Sequence, residues 1–185
     1  NRDNVANLGL AWEYHTGEVP PADTKGSLIA FEDQPSLIEG NLVVCTPSRR
    51  LIALDPQTGA ERWVYDPKAR KTGMQKCRGI VSWVDQQLPA DASCKTRIFL
   101  GTADNRLVAI DAKTGKPCDG FGEHGAVQIS PSKPEIFPGE LLITSRPAVV
   151  NDVVVVGSAV ADNQRVDAPS GRVLAFDART GKQVW

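Results

Sequence analysis

The sequence predicts an all-β fold built from repeated four-stranded sheets, because one motif occurs three times along the chain. The copies start at Leu51, Leu107 and Val173. From its third residue, each copy has Ala, any residue, Asp, two residues, then Thr-Gly. Their spacing leaves room for four strands per repeat with insertions. No long stretch shows helical periodicity. A four-stranded sheet repeated about an axis is a β-propeller blade, so the sequence indicates about three blades of a propeller.

Each copy of the motif predicts a hairpin turn for a physical reason. A short apolar strand leads to an Asp whose carboxylate can accept hydrogen bonds from the amides ahead of it, and the Gly can adopt positive φ. In the first copy these residues are Asp55 and Gly59. The first and third copies end in Trp63 and Trp185. An indole at this place can lie between neighbouring sheets and donate its N–H group to a backbone carbonyl.

The elements follow from this pattern. We expect blades over 31–66, 77–119 and 144–185, with 1–17 as the outer strand of a preceding blade and Trp12 as its docking tryptophan. The predicted strands are 31–38, 42–46, 51–54 and 61–65 in the first blade, 77–84, 97–101 and 106–110 in the second, and 147–150, 153–157, 173–176 and 183–185 in the third. A polar insertion at 85–95 and a long irregular connection at 117–143 interrupt them.

Charge and hydropathy exclude some partners. The chain has 185 residues and a net charge of −1, so no nucleic acid or anionic membrane surface is expected as a partner. No apolar run approaches the length of a membrane span. Because the chain begins abruptly and ends on a blade tryptophan, we expect it to be a piece of a larger protein.

The four cysteines form no CxxC pair, so a zinc site or a thioredoxin-type motif has no support. Cys45 lies in an apolar run and is most simply a buried free thiol. Cys77 and Cys94 flank the polar insertion and could form a disulfide that closes it. Two states of this pair, bonded and free, therefore stay open.

Charged and hydroxyl side chains at the inner strands are the candidate site residues. Glu32 starts the first inner strand, and Arg78 lies at the corresponding place in the second blade. An Arg in an apolar strand needs an anionic partner because it cannot lose its charge. Thr144, Ser145 and Arg146 precede the third inner strand and offer further donors. A solvated strand end is the alternative interpretation of Glu32.

An Asp-Asn pair in the third blade is the candidate metal site. The second blade carries the same residues as Asp104 and Asn105, where the next strand begins at once, so that copy is a hairpin turn. In the third blade Asp162 and Asn163 lie in a longer loop. A carboxylate and an amide carbonyl are oxygen ligands suited to Ca²⁺ or Mg²⁺.

The repeat, the segments VVCTPSRRLIALDPQTGAERWVYDP and CRGI, and the Asp-Asn pair after VVVVGSAVA resemble the quinoprotein dehydrogenases. These are eight-bladed propellers that bind pyrroloquinoline quinone (PQQ), and the resemblance is strongest with the membrane-bound glucose and quinate dehydrogenases. It implies oxidation of a sugar, polyol or hydroxy acid by hydride transfer to metal-bound PQQ. It also implies that electrons pass to ubiquinone or another quinone, on the periplasmic side of the bacterial inner membrane, with membrane contact only through segments absent here.

The same resemblance implies a role for each candidate residue. Glu32 matches a glutamate that hydrogen-bonds the cofactor, and Arg78 matches an arginine that pairs with a cofactor carboxylate. Hydroxyls near the cofactor correspond to Thr144 and Ser145, and ligands of the divalent cation correspond to Asp162 and Asn163. The family's catalytic aspartate lies in later blades, so this chain holds no catalytic residue and is expected to be inactive alone.

Two points leave the function open at the level of sequence. Membrane glucose dehydrogenases have a histidine in the loop between the second and third strands of this first blade, where this chain has Ser48, which argues against glucose as the substrate. The alternative function is a cofactor-free propeller that acts as a scaffold for protein assembly, similar to the outer-membrane assembly lipoprotein. The charges at Glu32, Arg78 and Asp162 favour the enzyme, because a scaffold has no need of them.

Overall fold

The structure, a computed structural model, describes residues 2–18, 28–69, 74–161 and 164–185. Strands make up nearly all of the regular structure in these ranges, and the one helical element in them is the 3₁₀ helix Val5–Asn7. The prediction of an all-β fold is therefore confirmed. In the described ranges no helix has the length and apolar character needed to cross a membrane.

Three antiparallel sheets follow one another along the chain. The first pairs β2 (Ser36–Ile38), β3 (Asn41–Cys45), β4 (Leu51–Leu54) and β5 (Glu61–Tyr65) in that order. The second pairs β7 (Val81–Val84), β8 (Thr96–Gly101), β9 (Arg106–Asp111) and β10 (Ala126–Gln128). The third pairs β12 (Ala148–Val150), β13 (Val153–Gly157) and β15 (Val173–Asp177).

Two small sheets complete the fold. β1 (Leu28–Phe31) pairs in parallel with β6 (Met74–Cys77), and β11 (Leu141–Leu142) pairs antiparallel with β14 (Ala159–Val160). The parallel pair was not predicted, and it corrects the single inner strand expected over 31–38. That segment is divided between β1 and β2 by residues 32–35, which include Pro35, a residue without the N–H group that a ladder needs.

The outer strands depart most from the predictions. β10 lies within 117–143, the segment predicted as an irregular connection. The strand was missed because its three residues, AVQ, are too few to show an alternating pattern. In the third sheet the expected strand 183–185 does pair with β15, because Val184 N–H donates to the Ala175 carbonyl at 2.8 Å and Ala175 N–H donates to the Trp185 carbonyl at 2.9 Å, beside a bridge between Phe176 and Gln183. The outer strand predicted over 1–17 is wrong for the described part of that range, because residues 2–17 contain the 3₁₀ helix Val5–Asn7 and no strand, and they share no ladder with a described strand.

The turn of the repeat has the predicted geometry in all three copies. In the first copy Asp55 Oδ1 accepts the N–H groups of Gln57 at 2.8 Å and Thr58 at 2.9 Å. Asp111 and Asp177 accept the corresponding two amides and a threonine hydroxyl as well. The glycines that close the turns have φ values of 71°, 70° and 73°. The local sequence therefore determines the turn, and the prediction is confirmed.

The core consists of two apolar layers between stacked sheets. One layer joins the first and second sheets and includes Leu51, Ile98 and Ile110. The other joins the second and third sheets and includes Phe99, Phe121 and Phe176. Because Ile98 and Phe99 point to opposite faces of β8, the second sheet is buried on both sides. Face-to-face stacking of this kind is the packing of neighbouring propeller blades.

Both cysteine predictions were wrong. The structure contains disulfides between Cys45 and Cys77 and between Cys94 and Cys118, and the described cysteines include no free thiol. Cys45 ends β3 while Cys77 ends β6, so the first bridge links two strands that only the tertiary fold brings together. The second bridge ties the insertion 85–95 to the segment after the second turn.

The sheets have two distinct edges. Antiparallel pairing places the repeated turns and the insertion 85–95 at one edge, which we call the turn edge. At the opposite edge, here called the cleft edge, lie the segments 32–35, 46–50, 102–105 and 144–146. The candidate site residues that the structure describes therefore lie at the edge that the repeat does not occupy.

Candidate functional site

Glu32 and Arg78 are brought together by the register of the parallel pair β1–β6. Phe31 lies opposite Cys77 in this ladder, so the next residue on each strand, Glu32 and Arg78, is again a neighbour of the other. Arg78 Nε donates to Glu32 Oε2 at 2.7 Å. Lys76 Nζ lies 3.8 Å from the other carboxylate oxygen. The structure thus joins two residues that are 46 positions apart in the sequence.

The pair lies in an open cleft of about 210 Å³ at the cleft edge. Its polar lining residues include Glu32, Asp33, Gln34, Arg78 and Arg146. The Cys45–Cys77 disulfide borders this cleft, because Cys77 directly precedes Arg78 and the amide of Cys45 donates to Asp33. The bridge therefore holds β3 and β6 in the positions that form the cleft wall.

The two carboxyl groups of the cleft respond to their surroundings in opposite ways. The hydrogen bond from Arg78 lowers the pKa of Glu32 below its ordinary value, with Lys76 acting in the same direction. Burial raises the pKa of Asp33, although the amides of Cys45 and Gln34 oppose the shift. Glu32 is therefore held as a carboxylate, whereas Asp33 is the more easily protonated of the two.

Asp33 also carries an unused acceptor. Its Oδ2 accepts the Cys45 N–H group at 2.6 Å, but its buried Oδ1 has no hydrogen-bond partner in the described part of the chain. A buried acceptor without a partner is costly to leave unpaired. This oxygen therefore marks a place where a donor from a bound molecule would be stabilised.

The two predicted hydroxyl residues lie beside the cleft and do not line it. Thr144 is buried, and Ser145 is exposed. The next residue, Arg146, does line the cleft and packs against Gly79. Their assignment to the cofactor stays a prediction.

Asp162 and Asn163, the predicted metal ligands, lie outside the described residues. Elsewhere, in the ranges that the structure describes, no group of three or more His, Cys, Asp or Glu side chains is placed to hold a metal ion. The Asp-Asn pair of the second blade, Asp104 and Asn105, lies in a hairpin turn as predicted. The side chain of Asp104 accepts hydrogen bonds from Thr102 and Arg106, and the backbone N–H group of Asn105 donates to the Thr102 carbonyl at 3.2 Å.

The loop 46–50 is held by an acidic residue that sequence reasoning missed. Glu18 accepts hydrogen bonds from the hydroxyls of Thr46 and Ser48, from the amide of Ser48 at 3.0 Å and from Arg50 Nε at 3.2 Å. Burial raises the pKa of Glu18, but the bonds from Ser48 and Thr46 outweigh it and lower the pKa overall. The Ser48 hydroxyl is therefore engaged within the protein.

Lys76, Asp33 and the cleft role of Arg146 were also missed. Asp33 follows Glu32 directly in a polar segment that ends at Pro35, and this break was the available signal. Lys76 precedes the CRGI segment, but nothing in the sequence indicated that its strand would pair in parallel. Arg146 was noted only as a donor beside Thr144 and Ser145.

Antiparallel sheets stacked face to face are the architecture of neighbouring β-propeller blades, and the charged cleft lies at one edge of them. The chain belongs to the family described as "PQQ: Glucose/ethanol/alcohol dehydrogenase, beta-propeller domain", which matches residues 1–185. The resemblance to quinoprotein dehydrogenases and the interpretation as part of a propeller are thus confirmed.

Individual relatives agree with the family. The chain is 37% identical over 196 residues to quinoprotein glucose dehydrogenase of Gluconobacter oxydans (strain 621H), covering 100% of this chain and 24% of the relative. It is 31% identical over 203 residues to quinate/shikimate dehydrogenase (quinone) of Acinetobacter baylyi (strain ATCC 33305 / BD413 / ADP1), covering 100% and 25%. The solved structure of quinohemoprotein alcohol dehydrogenase from Comamonas testosteroni matches with a TM-score of 0.71 and 27% identity, over 100% of this chain and 23% of that chain. The chain therefore spans about a quarter of the length of these relatives.

Proposed function

We propose that the whole protein is a PQQ-dependent dehydrogenase that oxidises a CH–OH group of a sugar, polyol or hydroxy acid. The observation that carries the proposal is the Glu32–Arg78 pair, joined at 2.7 Å in an open cleft. Membership of the PQQ family gives the class of chemistry. The two opposite charges lie at the cleft edge, away from the repeated turns. Exposed ion pairs contribute little to the stability of a fold, so ligand binding is the better explanation of this pair.

The cleft's donor and acceptor groups fit PQQ, a planar quinone with three carboxyl groups and a pyrrole N–H group. Arg78 offers a guanidinium that can bind a carboxylate through two hydrogen bonds. Acceptors are offered by Glu32 and by Asp33 Oδ1, which has no partner among the described residues. When bound, PQQ supplies the two-electron acceptor for alcohol oxidation.

The chain's own residues bind and orient, and they do not carry out the proton transfer. Arg78 holds the Glu32 carboxylate in its ionised form, so Glu32 acts as a fixed acceptor. Thr144 and Ser145, next to Arg146 in the chain, are proposed as further hydroxyl donors to the cofactor. Asp162 and Asn163 are proposed as oxygen ligands of Ca²⁺ or Mg²⁺.

Three features of the whole protein belong to the same proposal. Electrons pass to ubiquinone or another quinone, as the name of the quinate/shikimate dehydrogenase (quinone) suggests. The site faces the periplasmic side of the bacterial inner membrane. The chain alone is inactive, because it spans about a quarter of the relatives' length and the family resemblance implies that the catalytic aspartate lies in later blades.

The test uses the full-length protein. It is reconstituted with PQQ and either Ca²⁺ or Mg²⁺, and dye reduction is measured with glucose, glycerol and quinate, together with PQQ binding by tryptophan quenching. We expect PQQ to bind and at least one of these substrates to be turned over. Absence of both binding and turnover would reject the enzyme and favour the cofactor-free scaffold.

A pair of matched variants tests the metal assignment. We expect Asp162→Ala to weaken Ca²⁺-dependent reconstitution at least tenfold, as loss of a carboxylate ligand should. Asp104→Ala should lower thermal stability, because Asp104 pairs with Arg106 at 2.9 Å, and should leave the Ca²⁺ affinity unchanged. Equal losses of Ca²⁺ affinity in the two variants would show that the two Asp-Asn copies do not differ in function.

A further inference from the structure

Arg146 is a cationic cleft residue without a bonding partner in the part of the chain that the structure describes. It forms no hydrogen bond or ion pair with any residue in the described ranges, and its side chain is exposed. Its stem lies against the bare backbone of Gly79, where an added Cβ would be 3.1 Å from Arg146 Cδ. The glycine therefore allows this side chain to lie along the cleft wall.

The nearest opposite charge does not engage Arg146. Asp33 is close enough for the positive charge of Arg146 to oppose the effect of burial on its pKa. Its Oδ1 nevertheless receives no hydrogen bond from Arg146 or from any other described residue. Arg78, in contrast, is already bonded to Glu32. Of the two guanidinium groups in the cleft, Arg146 is thus the one whose donors are all unengaged by the described residues.

The balance of charge in and beside the cleft favours an anion. Lys76, Arg78 and Arg146 supply three cations, and Glu32 and Asp33 supply two carboxyl groups. One of these, Asp33, has a raised pKa. A planar guanidinium with free N–H groups binds a carboxylate through two parallel hydrogen bonds, a geometry that a hydroxyl group of a neutral sugar cannot match.

We propose that Arg146 binds a carboxylate of the molecule in this cleft and makes the site selective for a carboxylate-bearing ligand. This inference deepens the proposed function and rests on it. Two sources supply the same chemistry, namely a carboxylate of PQQ or the carboxylate of a hydroxy-acid substrate. In the second case the substrate class narrows from alcohols in general to hydroxy acids.

The experiment compares Arg146→Gln with wild type in the full-length protein. Glutamine keeps a hydrogen-bond donor and removes the charge, and Arg146→Lys restores the charge without the planar fork. Arg62→Gln at the turn edge is the control for loss of one positive charge. Three quantities are measured: the Kd of PQQ by tryptophan quenching, the Kd of quinate for the PQQ-free protein by calorimetry, and KM for quinate and glycerol in the reconstituted protein.

If PQQ supplies the carboxylate that Arg146 binds, Arg146→Gln should raise the Kd of PQQ on the order of tenfold, and Arg146→Lys should have an intermediate effect. If the substrate supplies it, Arg146→Gln should raise the Kd and KM of quinate by a similar factor and leave the KM of glycerol unchanged. Changes below about twofold in all of these quantities, matching Arg62→Gln, overturn the proposal.

Failure of the proposed function gives a different pattern. Wild-type protein that does not bind PQQ rejects the dehydrogenase, whereas quinate binding to that protein, weakened by Arg146→Gln, would still support the carboxylate site. Wild-type protein that binds neither PQQ nor quinate overturns both. Thermal unfolding of each variant shows that it is folded, which is expected because Arg146 is exposed.

Discussion

The joint between the first and second sheets differs from the joint between the second and third, although both use the same turn. At the first joint Trp63 covers Gly115, and a Cβ there would lie 2.6 Å from the indole. At the second joint the repeat has Asp119 in place of tryptophan. There the Val127 side chain covers Gly181, and a Cβ added to Gly181 would also lie 2.9 Å from the Gly122 backbone nitrogen.

The backbone carbonyl of the residue after each turn aspartate accepts a side-chain hydrogen bond, and the donor differs from turn to turn. The donor is Trp12 Nε1 for Pro56 at 3.2 Å, Asn41 Nδ2 for Ala112 at 3.1 Å, and Arg97 Nη1 for Ala178 at 2.9 Å. One structural requirement, a donor from the preceding segment, is met by three residue types. Trp63 Nε1 is left buried without a partner within the described residues, so the predicted indole-to-carbonyl bond is wrong at this joint.

The second joint replaces the tryptophan with charge and a covalent bond. Arg179 lies over Trp83, 5.0 Å from the ring centroid, and pairs with Asp85 at 3.0 Å. The Cys94–Cys118 disulfide anchors the insertion that carries Asp85. A repeated motif therefore determines its own turn, but it leaves the means of docking free to change.

Loss of the Cys94–Cys118 bridge should have the largest effect. We expect the double variant Cys94→Ala/Cys118→Ala to lower the free energy of unfolding by about 3–4 kcal/mol, given the 24-residue separation. Urea denaturation of the full-length protein measures this loss. Limited proteolysis should then cut within 85–95, which the bridge no longer holds.

The Cys45–Cys77 bridge is the matched control. Cys45→Ala/Cys77→Ala should cost a similar free energy but leave 85–95 protected, because this bridge lies at the cleft. Equal protection of 85–95 in both double variants would show that the disulfide does not support the second joint.

An intermediate effect is expected for Arg97→Met. It removes the donor to the buried Ala178 carbonyl, and an unpaired buried acceptor costs about 1–3 kcal/mol. Arg62→Met at the exposed first turn should change the free energy of unfolding by less than about 1 kcal/mol. If thermal and urea unfolding rank the two variants in the opposite order, the carbonyl contact is not what holds the second joint.

The smallest effect concerns the feature that the turns share. Amide hydrogen bonds from Thr58 and Gln57 and the bond from Arg62 lower the pKa of Asp55 from 3.8 to about 2. A lowered folded-state pKa stabilises the fold above about pH 4, and this contribution is lost as the pH falls towards 2.

Asp55→Asn should therefore unfold a few degrees below wild type at pH 7, and the two melting temperatures should converge near pH 2. Melting curves between pH 2 and pH 7 measure the difference. A difference independent of pH would mean that the charge of Asp55 contributes nothing to the turn.

Sequence reasoning worked where a residue acts on its own neighbours along the chain. Asp55 and Gly59 specify their turn within five residues, and the insertion at 85–95 and the hairpin at Asp104 have a similarly local signal. The prediction of a free thiol at Cys45 was wrong, because its bond to Cys77 depends on the parallel pairing of β1 and β6.

The candidate site shows the same division. Glu32 and Arg78 could be selected from the sequence, the first as a strand-end carboxylate and the second as an isolated charge in an apolar strand. Their contact could not be derived from composition or periodicity, because it depends on the register Phe31↔Cys77 between distant strands. Asp33 was overlooked and Arg146 was noted only as a donor beside Thr144 and Ser145, since each is an ordinary polar residue until the cleft forms around it.

By itself, the amino-acid sequence determined an all-β chain of stacked sheets and the geometry of three turns, because hydrogen bonds over a few residues and strand periodicity are local. Only the tertiary structure decided the disulfide pairing, the docking of each joint and the charged cleft. These depend on which distant strands meet and in what register, and that outcome is set by packing of the whole core.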